Sequence, residues 1–417
     1  MNIVNNGYIV DNLTNSVLCE ARKEVYNNPL SFFDIEELRQ IFNSQIVIPV
    51  FRLYMLDESE NVVRDISMDF ISGDLSCTYQ SGKRRTLNAS LINYNKKYTP
   101  SIKNTSIYLG AKFRLDTGVL INGTIYWFQQ GVFLLQDPSQ TSNDSNQVIQ
   151  FNLHDKFSLY DGTISGTTYL KTIVPQGVPM KQAFTTIITS ECGAGKPFDI
   201  KPLIFNSKYQ NELTPKTIRQ ETGTNLGEIL VDYAGTICSD VYYNTQGNMV
   251  VEDNVNTFLN ANFPIAWRVC DGDRILYDKS MTYNWSKLRN KIIVKGAIVN
   301  GYQFTGQGSN INPMSVFNIN GKYGLRAEVI NDGNLYSDNL CEEKALYTLV
   351  ERQRGVKSLS LTMGYMPFID VNQSFLVSLD DFDLSNANFV VDSFNLSCSS
   401  NPTMSVNLTN IGEVVFR

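Results

Sequence analysis

Residues 358–364 read Ser-Leu-Ser-Leu-Thr-Met-Gly, and this short stretch decides the fold class of the chain. Apolar side chains at 359, 361 and 363 alternate with hydroxyl side chains at 358, 360 and 362. This period of two is typical of a half-buried β-strand. Strand-like patterns also occur at 291–299, 389–395 and 404–408. The last third of the chain is therefore predicted to be antiparallel β-structure.

The first third of the chain shows the same period. From residue 45 onwards, Val47, Phe51 and Leu53 lie on one side of a predicted hairpin strand. Further strand candidates are 65–72, 75–79, 85–92, 106–115, 124–135 and 147–153. Short strands with turn residues between them favour an antiparallel barrel or sandwich. Before them, Asp34 is a candidate N-cap of a helix with Leu38 on its apolar face.

The middle of the chain has a helical period. Met180, Phe184 and Ile187 recur at a spacing near 3.6, and so do the apolar residues between 226 and 237. Asn225 and Glu228 resemble a capping box at the start of the second helix. A hairpin pattern follows at 241–252. This middle region is predicted to be α+β.

The chain has 417 residues, which is too long for one ordinary hydrophobic core. We predict a mainly β fold with an α+β middle region, in which two antiparallel β-barrel domains flank a mixed connecting domain. The predicted limits are 1–43 for an N-terminal arm with a short helix, 44–160 for the first barrel, 161–275 for the connecting domain and 276–417 for the second barrel. Inside the second barrel, the Gly-, Asn- and Ser-rich segment 300–339 is predicted to be a long loop insertion. A helix capped by Asn339 is predicted at about 340–354.

Composition excludes several classes of protein. The formal net charge is −6, from 35 Lys and Arg against 41 Asp and Glu, which argues against a nucleic-acid-binding surface. Seven scattered cysteines without a C-x-x-C pair indicate reduced thiols in a protein that folds in a cytoplasm. We find neither a secretory signal nor an apolar stretch long enough for a membrane span.

The sequence predicts no catalytic residue, no cofactor and no metal site. His154 is the only histidine, so mechanisms that need two imidazoles are excluded, and a structural role is expected for it. Residues 193–196, GAGK, lack the surrounding residues of a phosphate loop and are predicted to be a turn. Residues 306–308, GQG, lack the third glycine of a dinucleotide site and are predicted to be a flexible tip. The acidic pairs and triplets at 271–273 and 380–383 are predicted to be solvated turns.

Five stretches carry a resemblance to a known family: 71–77 (ISGDLSC), 83–91 (KRRTLNASL), 126–135 (YWFQQGVFLL), 152–162 (NLHDKFSLYDG) and 283–296 (YNWSKLRNKIIVKG). In this order they resemble phage tail hub proteins, the family of contractile-phage baseplate hubs, late-control proteins and the structural part of tail-tip proteins. The resemblance extends from about residue 45 to residue 416. It implies a structural protein of the virion tail, assembled in the host cytoplasm, and not an enzyme.

The resemblance also implies an assembly. Three copies would supply six tube-like barrels that match a hexameric tail tube and leave a channel for DNA, which would pass without specific binding. The implied partners are further copies of the chain, the tail tube protein, a spike or tail-tip protein, the tape measure protein, and distal tail or baseplate wedge proteins. A negatively charged channel would repel DNA phosphates.

One interface and two alternative functions complete the predictions. The predicted hairpin tip is a candidate contact with a neighbouring ring, although a solvated turn is an equally good interpretation; it comprises Asp57, Glu58, Ser59, Glu60 and Asn61. The first alternative function is a tail-associated cell-wall hydrolase that uses carboxylates. The second is a distal adaptor or receptor-binding module for a surface glycan.

Overall fold

The computed structural model describes residues 2–5, 8–11, 16–20, 23–26, 34–44, 47–102, 104–142, 147–167, 172–189, 198–254 and 265–410. The turn predicted at 193–196 lies outside the described residues. Among the described helices, none is long and apolar enough to cross a membrane.

The first part of the chain is mainly strands. Its elements are β1 (Asn2–Asn5), β2 (Tyr8–Asp11), β3 (Ser16–Glu20), β4 (Lys23–Val25), α1 (Ile35–Ser44), β5 (Ile48–Leu56), β6 (Val62–Asp65), β7 (Phe70–Thr78), β8 (Arg85–Ile92), β9 (Lys112–Ile121), β10 (Thr124–Ser142) and β11 (Gln147–Asp155). Asp34 lies at the predicted N-cap position of α1, because its main-chain carbonyl accepts the N–H of Leu38 at 2.9 Å, and its carboxylate accepts the N–H of Ile35 at 2.9 Å. The strand predicted at 106–115 begins later, at Lys112.

The middle region contains both helices that the sequence predicts. Its elements are β12 (Thr172–Val174), α2 (Met180–Ile188), β13 (Ile204–Phe205), β14 (Ile218–Gln220), α3 (Leu226–Thr236), β15 (Ser239–Tyr243) and β16 (Met249–Asp253). The capping box predicted at Asn225 is wrong, since its side chain makes no cap hydrogen bond. The Asn225 carboxamide oxygen instead accepts from the Thr167 hydroxyl at 3.3 Å.

The last part of the chain returns to strands around one long helix. Its elements are β17 (Ile265–Cys270), β18 (Leu276–Tyr283), β19 (Lys291–Val299), β20 (Tyr302–Ser309), β21 (Ala327–Asn331), α4 (Asp338–Arg354), β22 (Lys357–Gly364), β23 (Ser374–Leu379), β24 (Leu384–Cys398) and β25 (Thr403–Asn410). The helix cap was predicted two residues too late: Ser337, not Asn339, caps α4, and its hydroxyl accepts from the N–H of Leu340 at 3.2 Å.

The two β-rich halves form one continuous sheet. In the first half the strand order is β6, β5, β9, β10, β11, β8, β7, with every pair antiparallel. In the second half β24 pairs with β25 and β23, and β17 joins β23, although the sequence assigns β17 to the connecting domain. β7 and β24 join the halves through six residue pairs from Gly73↔Cys398 to Thr78↔Ser393.

The two barrels predicted from the sequence are not confirmed. Among the described residues, the strand pairs close neither half into a ring. The reason is the length of β24, whose 15 residues let its first half pair with β23 while its second half reaches β7. One hydrophobic cluster likewise takes in side chains from both halves, such as Phe113, Phe151, Phe375 and Leu408. The mainly β fold class is confirmed, and the domain limits stay a prediction.

The segment 300–339, predicted to be a loop, instead contributes β20 and β21. They flank β19 in a three-stranded sheet, and α4 packs on this sheet. The loop prediction was wrong because the glycines of this segment serve close packing. A Cβ on Gly306 would lie 2.1 Å from the Glu342 main-chain nitrogen. Residues 306–308 are therefore not a flexible tip. Glycine lets the strand approach the helix closely.

Gly306→Ala is expected to destabilise this small sheet by about 1 to 3 kcal/mol, because the added methyl group must displace the main chain of α4. The measurement is the urea midpoint together with hydrogen exchange of the α4 amides. Gly333→Ala is the matched control, since a Cβ there meets nothing within 4 Å. Equal behaviour of the two variants would contradict the packing argument.

Candidate functional site

The continuous sheet has one face made of polar side chains, which we call the polar face. It runs across β11, β8, β7, β24, β25, β22 and β18, which are neighbours in this order. Cross-strand register places the following polar side chains on it: Gln150, Asn152, Thr86, Asn88, Ser90, Ser72, Asp74, Ser76, Thr78, Ser393, Asn395, Ser397, Thr403, Ser405, Asn407, Thr409, Ser358, Ser360, Thr362, Asp278, Ser280 and Thr282; His154 and the apolar Val148 and Ile92 lie on the same face. Two of these are carboxylates, and none is Lys or Arg. The opposite face of these strands enters the core.

Hydrogen bonds between side chains order the polar face. Ser360 Oγ donates to Asn407 Oδ1 at 2.7 Å, and Asn407 Nδ2 donates to Ser393 Oγ at 3.0 Å. Across the junction of the two halves, Asn395 Nδ2 donates to Ser76 Oγ at 3.1 Å. Ser and Asn are poor strand formers, so strand propensity does not explain their concentration here. The polar face is thus largely uncharged. Two cations adjoin it: the Lys83 ammonium lies 3.5 Å from His154, which pairs with Thr86, and Arg354 Nε donates to the Thr409 hydroxyl at 3.1 Å.

Two consecutive arginines connect the first half to the other two regions. The Arg85 guanidinium donates from Nη2 to both carboxylate oxygens of Asp370, at 2.6 Å each. Arg84 lies 3.4 Å from Asp240 and stacks over the Tyr242 ring at 3.4 Å from its centroid. Asp370 belongs to the second half and Asp240 to the middle region. The stretch 83–91 therefore fixes the relative positions of all three regions.

The Asp155 carboxylate fixes the main chain of Arg84 and Arg85. One carboxylate oxygen accepts the main-chain N–H of Arg84 at 2.7 Å and of Arg85 at 2.9 Å, and the other accepts from Phe157 at 3.1 Å. Burial raises the pKa of Asp155 to about 6, even though these hydrogen bonds favour the charged form.

Asp155 therefore gives the stability of the chain a defined pH dependence. Because its pKa is raised from 3.8, the folded chain holds this proton more tightly, and stability falls as the pH rises from about 4 to about 6. At 1.36 kcal/mol per pKa unit the loss approaches about 3 kcal/mol. Asp155→Asn keeps an acceptor without titrating, so it should gain stability relative to the wild type across this window. Urea unfolding at several pH values measures the difference, and a difference that does not change with pH would contradict it.

A second buried group, the lysine cluster, lies where the hairpin tip meets the middle region. It comprises Lys112, Lys156, Lys201, Glu60 and Asp199. The fully buried Lys156 ammonium lies 2.5 Å from Glu60 and 2.7 Å from Asp199, and it donates to the Gly247 carbonyl at 2.9 Å. Burial lowers the pKa of Lys156, although the two carboxylates oppose this effect. Burial by itself would raise the pKa of Glu60, but the three lysines hold it below its ordinary value.

The predicted interface residues divide into two groups. Glu60 is bound inside the chain by the lysine cluster. Asp57 closes the turn, because its carboxylate accepts the N–H of Asn61 at 2.8 Å. Glu58, Ser59 and Asn61 are exposed. The tip is therefore anchored to the middle region while three of its residues remain accessible, and its interface role stays a prediction.

The remaining candidate groups, His154 and the two acidic turns, contact other side chains of the chain. His154 Nδ1 lies 3.5 Å from the Lys83 ammonium. Burial is the main cause that lowers the pKa of His154, and the positive charge of Lys83 is the second. The two acidic turns, predicted to be solvated turns, meet at Lys279, which pairs with Asp271 and, at 2.7 Å, with Asp381. Within the described residues no group of His, Cys, Asp or Glu has the arrangement of a metal site.

Three solved structures that share this fold are tail proteins. The tail protein from Neisseria meningitidis MC58 matches with a TM-score of 0.57 and 11% identity, over 88% of this chain and 98% of that one. The prophage MuSo2 43 kDa tail protein from Shewanella oneidensis matches with a TM-score of 0.54 and 13% identity, over 86% and 97%. The prophage tail protein gp18 from Listeria monocytogenes EGD-e matches with a TM-score of 0.50 and 12% identity, over 86% and 94%. No protein-family model and no curated protein sequence matches this chain.

This chain has the fold of a phage tail protein. The resemblance stated from the sequence is thereby confirmed at the level of the fold. More than nine-tenths of each of these tail proteins is matched, so the shared fold takes in their whole architecture and not a single domain.

Sequence reasoning missed the polar face as a unit, although part of its signal was visible. Ser358, Ser360 and Thr362 were recognised as the outward side of one strand. The sequence does not show that this strand is a neighbour of β25, or that β7 is a neighbour of β24. The lysine cluster was equally hidden, because its residues lie far apart in the chain.

Proposed function

We propose that this chain is a structural protein of a phage-type tail tip, and that its copies form a three-membered ring with the polar face lining a central channel. The observation that carries the proposal is the polar face itself. A continuous sheet joins both halves of the chain and turns a polar, largely uncharged surface to one side. Such a surface suits the passage of DNA, because it offers phosphates few cations to bind and no dense array of carboxylates.

The proposed ring joins the tail tube to a central spike or tip. Its partners are the tail tube protein, the spike or tail-tip protein, the tape measure protein ending in the channel, and distal tail or baseplate wedge proteins. The fold shared with tail proteins supports a place in the virion tail. The channel differs from the one expected from net charge alone, since few acidic groups lie on the polar face: Asp74 and Asp278, with Asp137 beside Asp74 and Ser139.

Mass photometry and negative-stain imaging of the purified full chain test the ring. The expected particle has three times the 47.0 kDa mass of one chain and a central hole. A chain that remains a monomer at every concentration would overturn the proposal. Clearing of purified cell walls, lost on substitution of one carboxylate, would favour the hydrolase instead.

Positive charges on the polar face are expected to create DNA binding. In the triple variant Asn88→Lys, Asn395→Lys and Asn407→Lys, three lysines from each copy converge on one channel. Affinity for linear duplex DNA should rise at least tenfold over the wild type and fall steeply with salt. Gel shift at two salt concentrations measures it. The control places the same three charges at the exposed Asn206, Asn211 and Asn320. Equal affinity of the two variants would contradict a shared channel.

A further inference from the structure

The polar face ends at two strand edges that no described strand covers. At one end, β18 pairs with β22 alone. At the other end, residues 138–142 of β10 pair with β11 alone, and Ser139 continues the polar face beside Gln150. Uncovered edges of this kind favour pairing with another chain.

The directions of the strands allow the two edges to pair with each other in successive copies. From β10 to β18 the order is β10, β11, β8, β7, β24, β25, β22, β18, and all seven junctions are antiparallel. Seven reversals leave β18 running opposite to β10. In a ring of identical copies, β18 of one copy therefore meets β10 of the next as an antiparallel neighbour, as throughout the sheet.

Antiparallel pairing also fixes which ends meet. The carboxyl end of β18 falls beside Leu135, where the outer part of β10 begins. At the end of β18, the rings of Tyr283 and Trp285 stack at 5.9 Å, and Trp285 stacks on Tyr323 at 5.6 Å. These three side chains, which we call the aromatic stack, are 46%, 41% and 39% exposed.

A second apolar surface lies at the matching end of the other edge. The N–H of Gly110 donates to the Leu135 carbonyl at 2.8 Å, which places the preceding residues beside the start of the outer part of β10. Tyr108 and Leu109 are 50% and 56% exposed there. Aromatic and aliphatic side chains exposed together are typical of interface anchors.

The charges beside the two apolar surfaces are complementary. Arg326 donates to the Trp285 carbonyl at 3.0 Å, Lys287 follows two residues later, and both side chains are exposed. On the other edge, Lys112 donates to the main-chain oxygen of Glu58 at 3.0 Å, which brings the acidic hairpin tip next to Leu109. The exposed charges are thus basic beside one surface and acidic beside the other, since Lys112 is paired with Glu60 and its side chain is only 15% exposed.

We propose that copies of this chain join head to tail, with β18 and the aromatic stack of one copy against residues 138–142, Tyr108 and Leu109 of the next. This inference rests on the proposed ring and names the surfaces that build it. It also gives the hairpin tip a role, because its exposed residues Glu58, Ser59 and Asn61 then face the neighbouring copy in the same ring.

Two single variants test the proposal in the full chain. Trp285→Asp alters only the first surface and Leu109→Asp only the second. Each is expected to remain monomeric at concentrations where the wild type forms three-copy particles, as measured by mass photometry. Mixed in equal amounts, the two variants retain one intact pair of surfaces between them. The mixture is therefore expected to give dimers that cannot close, and dimer formation also shows that both variants are folded.

Met314→Asp is the matched control, because Met314 is 89% exposed in the same part of the chain and lies outside both surfaces. It should assemble like the wild type. If the wild type assembles and Trp285→Asp and Leu109→Asp do so equally well, the head-to-tail surfaces are wrong while the ring stands. A mixture that stays monomeric also overturns them. If the wild type does not assemble at any concentration, both the proposed ring and this inference are wrong.

Discussion

Replacing Asp370 with Asn is expected to lower the free energy of unfolding by about 3 to 5 kcal/mol, the cost of leaving a buried charge without its partner. The charge is that of Arg85, whose side chain is only 5% exposed. Both of its 2.6 Å hydrogen bonds end on the Asp370 carboxylate. Asn offers one neutral oxygen in place of two charged ones.

The reverse substitution should cost much less. Arg85→Met removes the buried charge and keeps most of the packing volume, and the Asp370 side chain, 36% exposed, can be hydrated. We expect a loss of about 1 kcal/mol. Urea unfolding of both single variants and of the double variant gives the coupling energy. Equal losses for Asp370→Asn and Arg85→Met would contradict this asymmetry.

The position of the pair makes it a test of the architecture as well. Arg85 begins β8 in the first half, and Asp370 precedes β23 in the second, so the pair supports the junction that β7 and β24 form. In Asp370→Asn, limited proteolysis should cut between the halves earlier than in the wild type. Unchanged proteolysis would mean that strand pairing alone holds them together.

The sequence predicts local structure better than contacts between residues that are far apart in the chain. Period-two patterns are local, so strands such as Arg85–Ile92 and Gln147–Asp155 could be placed from the sequence. The pairing of Phe70–Thr78 with Leu384–Cys398 joins residues more than 300 positions apart, and no local pattern encodes it. The prediction of two β-barrel domains therefore did not include the connection between them.

Glycine and arginine illustrate the same limit. Gly306 was interpreted as loop flexibility, whereas its role depends on a helix that approaches it from residue 338 onwards. Arg84 and Arg85 were quoted as part of a family pattern, but their partners Asp240 and Asp370 were not identifiable. Side chains that act on distant partners require the structure, even when the sequence marks them.

Lys156→Met is expected to destabilise the chain by about 3 to 5 kcal/mol, because it leaves the Asp199 carboxylate buried without a cation. Lys156 is completely buried, and the Asp199 side chain is 1% exposed. Tyr243 and the main-chain N–H of Ile200 still donate to Asp199, at 2.7 Å each, but neither supplies charge. Glu60 retains Lys112 and Lys201, so the loss falls mainly on Asp199.

Removing both charges should restore most of that stability. In the double variant Lys156→Met with Asp199→Asn, the carboxamide can still accept from Tyr243, and no charge is left alone. We expect it to recover at least about 2 kcal/mol of the loss, since neutral replacement of a buried pair is often tolerated. Lys201→Met is the control. Because the Lys201 side chain is 29% exposed, this substitution should lower the free energy of unfolding by about 1 kcal/mol or less. Urea unfolding gives these energies, and hydrogen exchange at residues 57–61 reports whether the hairpin tip has detached from the middle region. A single variant as stable as the wild type, or a double variant no better than Lys156→Met, would show that the lysine cluster does not hold the tip in place.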